Sequence, residues 1–275
     1  MVERKKKVCV SEVIELLEKI APYDLAEEWD NCGLQVGSLL WPVKKIWIAL
    51  DPLHSVVQAA VNQNVDMVIT HHPLLFRPMH SINVDSAVGR IVATAVTSQV
   101  ALYAAHTNLD SAQQGVNDVL ARAIGLQDLV PLIPHDASAS GKSLGMGRIG
   151  NLPQRIPLKE FAVQIKTRLN SSNVKFAGDP DLMVHQVAVC SGSGSSLLDD
   201  FFNTSADVYV SGDLRYHDAR RVEDQGRALI DVGHFPSEVL IIEPLVKQLS
   251  LAIQSKGWQI HVEPCKLEQD PFIVC

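Results

Sequence analysis

KIWIALDPLHSVVQAAVNQNVDMVIT, residues 45–70, holds two short apolar runs on either side of a longer amphipathic stretch. KIWIAL (45–50) and DMVIT (66–70) are continuous and apolar, as strands buried on both faces are, and residues 54–64 between them read as a helix. The pattern then repeats. Residues 86–98 read as a helix, VALYAA (100–105) as a third strand, and 115–124 as a helix that Gly125 is placed to stop. Short buried strands alternating with helices define βαβ units, so the fold class is α/β with a largely parallel sheet.

Upstream, SEVIELLEKI (11–20) reads as a helix capped by Ser11, with Ile14, Leu17 and Ile20 on one side and Ala21-Pro22 at its end. WDNCGLQVG (29–37) reads as a loop from its Asp, Asn and Gly content. Downstream, residues 131–153 contain Pro131, Pro134, Gly141, Gly145, Gly147, Gly150 and Pro153. This shift in composition marks a domain junction, giving α/β domains at about 1–130 and 131–275. A helix is expected over 157–169, opening on Pro157. VHQVAVC (184–190), ADVYVSG (206–212), RALIDVG (227–233) and WQIHVE (258–263) read as strands, with LLDDFF and residues 237–249 helical. The βα alternation thus resumes in the second half, and two packed α/β halves fit it better than one barrel. No internal repeat is evident.

The chain has 275 residues, with 31 acidic and 24 basic side chains and a net charge of −7. That balance argues against a protein whose main task is to neutralise nucleic-acid phosphate. No apolar run approaches the roughly 18 residues that span a bilayer. Arg4 to Lys7 resemble the start of a signal peptide, but Ser11, Glu12 and Glu15 interrupt the apolar segment that would follow, so they read as a solvated basic tip. Cys9, Cys32, Cys190, Cys265 and Cys275 are scattered and form no C-x-x-C pair. This usage suits a reducing compartment, and the expected location is the cytoplasm.

Three expected strands end in metal-type donors: VIT-HH-P with His71 and His72, YAA-H-TNL-D with His106 and Asp110, and IDVG-H-FPS-E with His234 and Glu238. Parallel α/β sheets bind ligands outside the carboxyl ends of their strands. Imidazole with carboxylate is a donor set of zinc, iron and manganese. These donors are too many for one open catalytic ion and suit two. Two ions about 3.5–4 Å apart can share a water and turn it into a hydroxide nucleophile at neutral pH. His54, His80, His135, His185 and His261 lack a carboxylate partner in such a setting and read as structural, while His217, near Asp213 and Asp218, is a candidate to line the pocket. SGSGSS (191–196) reads as a tight turn, since it lacks both the third glycine of G-x-G-x-x-G and the Gly-Lys-Ser/Thr of a P-loop. Nothing matches a G-x-S-x-G nucleophile elbow.

WDNCGLQVG, ITHHPLLF, ALYAAHTNLD followed by GVNDVLA, SGDLRYHDA and VGHFPSE together resemble the NGG-interacting-factor-three-like family, whose bacterial members are catalogued as GTP cyclohydrolase I type 2 homologues. The resemblance runs in order from about residue 29 to residue 238. It implies two α/β domains around a central cleft, a dinuclear metal centre there, and a ring-shaped homohexamer. It also implies that His71, His72, Asp110, His234 and Glu238 are the metal ligands, with His106 close by as a donor or catalytic proton carrier. Leu53, Gln114 and Phe235 depart from the family pattern, where threonine, glycine and tyrosine are usual. The expected function is a divalent-metal-dependent hydrolase acting on a small nucleotide-like substrate through a metal-activated water. Cyclohydrolase chemistry would be attack of water on a purine imidazole ring, ring opening and loss of formate. The alternative is a metal-binding scaffold or regulatory interaction protein without turnover.

Overall fold

The computed structural model describes residues 7–135 and 144–273. Residues 4–6 of the basic tip, Gly141 and Cys275 lie outside them. The chain divides into two compact units, Met1–Leu109 with Ile242–Glu268 and Asp110–Ile241 with Gln269–Cys275. Residues 110–130, which precede the Pro/Gly-rich stretch, go with the second unit, and 242–268 return to the first.

The first unit opens with helix α1 (Val10–Ile20), strand β1 (Gly33–Val36) and strand β2 (Lys45–Ala49). Helix α2 (His54–Asn62), strand β3 (Met67–Thr70), helix α3 (Ala87–Thr97), strand β4 (Ala101–Ala104) and the short helix α4 (Thr107–Ser111) follow. All four residues of β3 and of β4 are buried, as the continuous apolar runs require. Val56, Val57 and Ala60 of α2 and Ile91, Val92 and Ala95 of α3 cover the sheet. Each such burial stabilises the fold by roughly 1.5–3 kcal/mol for a Val or Ile side chain. The expected loop at 29–37 is corrected in part: Gly33–Val36 pairs antiparallel with β4. Gly33 and Gly37, at φ +101° and +124°, let the chain enter and leave this edge strand, and their turn-like composition hides it in the sequence.

The second unit runs through α5 (Val116–Ala123), β5 (Gln127–Val130), β6 (Ile133–Pro134), β7 (Gly145–Met146), β8 (Arg148–Pro157), α6 (Leu158–Arg168) and β9 (Lys175–Ala177). It continues with β10 (Met183–Ser193), α7 (Leu198–Phe202), β11 (Val208–Gly212), α8 (Tyr216–Asp224), β12 (Ala228–Asp231) and α9 (His234–Glu238). Its main sheet has the order β5-β8-β10-β11-β12-β9. Only β10-β11 and β11-β12 are parallel; β5, β8 and β9 join antiparallel. The expectation of a largely parallel sheet therefore fails here. The reason is β8: RIGNLPQRIP is half-exposed and carries no continuous apolar run, so it lacks the signature of a buried strand.

The chain then returns to the first unit with α10 (Ile242–Ser255) and β13 (His261–Pro264). β13 pairs parallel with β2 and completes the sheet order β1-β4-β3-β2-β13. The single helix expected over 237–249 is two helices joined by a 3-10 turn at Val239–Ile241. Among the described residues no helix is long and apolar enough to cross a membrane.

Candidate metal centre

In the first unit, His71 and His72 extend the ladder beyond β3, donating their backbone N–H groups to Ala49 O at 3.2 Å and Leu50 O at 2.9 Å. Strand alternation would send the two rings to opposite faces. The Thr70 hydroxyl, donating to His72 O at 2.7 Å, and the turn into Pro73 end that alternation. His106 follows β4 at the neighbouring strand end. The three imidazoles form one cluster, with ring centroids 5.0 Å apart for His71–His72, 5.1 Å for His71–His106 and 5.6 Å for His72–His106. One ligand atom from each lies within 4.8 Å of the others.

Each ring has its Nδ1 on an oxygen acceptor. His71 Nδ1 meets Ala105 O at 2.9 Å, His72 Nδ1 meets Asp51 Oδ1 at 2.8 Å, and His106 Nδ1 meets Asp30 Oδ1 at 2.9 Å. A carbonyl or an ionised carboxylate can only accept, so these contacts put the proton on Nδ1 and leave the Nε2 lone pair as the donor. This is how proteins orient metal-binding histidines.

The orienting carboxylates are themselves held. Glu268 accepts from the backbone N–H groups of Leu50 at 2.8 Å and Asp51 at 2.6 Å, and burial pushes its own carboxyl up. The Asp30 side chain is 0% exposed. It accepts from Thr107 N at 3.1 Å, Thr107 Oγ1 at 2.5 Å and Cys32 Sγ at 3.0 Å besides His106. Burial alone would raise the Asp30 carboxyl, but the hydrogen bonds from His106 and Thr107, the His106 charge and the Cys32 bond outweigh it and hold the group well below the usual range. Burial and the same carboxylate push the Cys32 thiol up to about 12, so it is no nucleophile.

In the second unit, Gly233 at φ +85° turns the chain out of β12 into α9. The i,i+4 spacing on this helix brings His234 Nε2 to 3.0 Å from the buried Glu238 Oε2. His234 Nδ1 meets Asp213 Oδ2 at 2.7 Å. With that Nδ1–H committed to Asp213, Nε2 faces Glu238 as acceptor against acceptor. The pair calls for a cation, a proton or a metal ion.

Asp110 is held at the end of β10: its Oδ1 accepts from Ser191 Oγ at 3.0 Å, and its backbone carbonyl accepts from Asn117 Nδ2 at 3.1 Å. Asn117 Oδ1 in turn accepts from Ser191 N at 2.8 Å. The next residue, Gly192, donates its N–H to Ser237 Oγ at 2.9 Å. A Cβ on Gly192 would lie 2.1 Å from Glu238 Oε1 and 3.3 Å from His234 Nε2. Asp110, His234 and Glu238 are thus arranged around Ser191-Gly192. SGSGSS is therefore not a tight turn: residues 191–193 end β10 at an irregular register with β11, and Gly192 admits the two donors beside it.

The six expected site residues thus fall into two sets, His71–His72–His106 in one unit and Asp110–His234–Glu238 in the other. His217 is exposed, its ring 5.5 Å from that of Tyr216. The sequence reading assigns no role to Asp30, Asp51, Asp213 or Ser191. Asp51 and Asp213 do carry a signal, since each follows a strand of the same sheet as the histidine it holds.

An α/β protein of two units with histidine–carboxylate sets at its strand ends is the class that fold and site define. Residues 8–271 match the Duf34/NIF3 (NGG1p interacting factor 3) family, to which this chain belongs. It is 34% identical over 266 residues to a "GTP cyclohydrolase 1 type 2 homolog" of Streptomyces coelicolor, covering 96% of this chain and 93% of the relative. A protein of the same name from Clostridium acetobutylicum is 31% identical over 263 residues, covering 96% and 97%. Among solved structures, a Bacillus cereus protein related to NIF3 superposes with a TM-score of 0.92 at 28% identity, covering 98% of this chain and 100% of that one.

Proposed function

We propose that the protein is a divalent-metal-dependent hydrolase acting on a small nucleotide-like substrate. The observation that carries the reading is shared by four histidines: His71, His72, His106 and His234 each have Nδ1 on an oxygen acceptor, which commits Nε2 to donation. In this reading His71, His72, Asp110, His234 and Glu238 hold two divalent ions per chain, with zinc, iron or manganese suited to the donors. Bound ions would polarise an electrophile and make water nucleophilic near neutral pH.

His106 moves the proton. Asp30 keeps the Nδ1–H of its ring in place and stabilises the imidazolium that forms when Nε2 takes a proton. Ser191 holds Asp110 through its hydroxyl, and Gly192 leaves room for Glu238 by having no side chain. The name of the relatives supports a nucleotide as the first substrate to try.

The test is metal content per chain by elemental mass spectrometry, on untagged protein purified without chelator, with formate and phosphate release from GTP followed in parallel. About two ions per chain, lost with any turnover in Glu238→Ala, is the expected result. Two ions with no turnover on any nucleotide or phosphoester would favour a metal-holding scaffold. No metal after reconstitution with zinc, iron or manganese would sink both.

A further inference from the structure

Two aromatic rings that the metal reading does not use stand beside the imidazole cluster of the first unit. Trp29 is 60% exposed and Phe76 is 53% exposed. Their ring centroids are 5.9 Å apart with the planes at 61°, an edge-to-face contact. Trp29 also meets the His106 ring, at 6.2 Å and 79°.

These rings are held in place. Asn31 Nδ2 donates to Leu75 O at 2.7 Å, Leu75 N donates to Gln35 Oε1 at 3.1 Å, and Gln35 Nε2 donates to Asn31 O at 2.7 Å. The segments bearing Trp29 and Phe76 are thereby clasped together. The residue after Trp29 is Asp30, whose buried carboxylate binds His106 and Thr107. The indole is therefore registered against the imidazole cluster by backbone one residue away.

We propose that Trp29, with Phe76 edge-on to it, is the stacking subsite for a planar heteroaromatic ring of the substrate, with a purine base as the test case. This rests on the reading of the imidazole cluster as the reactive centre. An indole face stacks on any base without hydrogen-bond readout. A base held against the indole has His106 as a neighbour, since the two protein rings are 6.2 Å apart. Binding energy from the ring then fixes the reacting part of the molecule at the donors.

The test uses metal-loaded full-length protein and two probes, guanosine 5′-monophosphate and ribose 5-phosphate, titrated calorimetrically. Trp29→Ala, Trp29→Phe and Phe76→Ala are compared with the parent. Metal content is measured by elemental mass spectrometry and subunit number by light scattering. The expected result is a loss of roughly 5- to 150-fold in nucleotide affinity for Trp29→Ala and a smaller loss for Trp29→Phe. Metal content, subunit number and ribose 5-phosphate binding should not change. Equal losses for both probes, or no loss for the nucleotide, would overturn the proposal. A changed subunit number in Trp29→Ala would overturn it too, assigning the ring to a contact between copies. Parent protein that holds two ions but binds no base-containing probe would end the stacking proposal and leave the metal reading standing. Parent protein without metal that still binds the nucleotide through Trp29 would end the metal reading and uphold the subsite.

Discussion

The Asp30 carboxylate accepts a hydrogen bond from His106 Nδ1 at 2.9 Å, across 76 positions of sequence. It joins the loop before β1 to the end of β4 and sets the direction of the His106 lone pair. Asp30→Asn should lower metal affinity or proton transfer about 10- to 100-fold, as loss of an orienting partner does. It should also cost stability on the order of 2 kcal/mol at neutral pH. The folded-state pKa of Asp30 is depressed, so its contribution is full above the unfolded value of about 3.9 and is lost as pH falls through the folded one. The gap in urea stability between parent and Asp30→Asn should close as pH falls below roughly 4. A gap that instead widened in acid would contradict the assignment.

Gly192 and Gly226 have nearly the same backbone, φ +62° and +64°, but different surroundings. A Cβ on Gly226 meets nothing within 4 Å, whereas one on Gly192 strikes Glu238 Oε1. Both Gly→Ala changes should cost about 1–2 kcal/mol of backbone strain. Only Gly192→Ala should displace a donor. Thermal melts and metal titrations of the two variants separate strain from the close approach. Equal metal retention would show that Glu238 gives way without consequence.

Arg148 is fully buried and holds the second unit together at the start of β8. It pairs with Asp118 and donates to the carbonyls of Gly145 and Gly147 at 2.6 Å and Ala112 at 3.1 Å. Removing one partner of a buried pair leaves the other charge stranded, so Arg148→Met should cost about 3–5 kcal/mol by urea unfolding. Adding Asp118→Asn should recover part of it. Additive losses would mean that the two charges do not act as a pair.

The difference in legibility between donors and their partners is physical. Strands 45–50, 66–70 and 100–105 are readable because both faces are buried, and the histidines stand out at their ends. Asp51 and Asp213 are marked only by their places after strands, and Asp30 is a single acid in a turn-like context, where nothing local distinguishes a carboxylate that orients a ring from one that starts a turn. β5, β8 and β9 escape for a related reason: their partners across the sheet, not their own composition, make them strands. Arg148 shows the limit, since a fully buried arginine inside a strand reads in the sequence as a solvent-facing one.

Gln114 takes φ +61°, a left-handed conformation in which its Cβ is strained, at a position where the resembled family has glycine. Its N–H donates to Asp118 Oδ2 at 2.8 Å, so the backbone cannot relax without losing that bond and disturbing the Asp118–Arg148 pair. Gln114→Gly should therefore relieve the strain, offset in part by the greater freedom of glycine in the unfolded chain. A net gain of about 0.5–1 kcal/mol is expected, or roughly 2–4 °C in Tm at the upper end. Gln114→Ala keeps the Cβ and should gain nothing, which separates backbone relief from any effect of the long side chain. Metal content should match the parent in both variants. If Gln114→Gly melts at or below the parent temperature, the strain is already compensated by the native contacts of this turn.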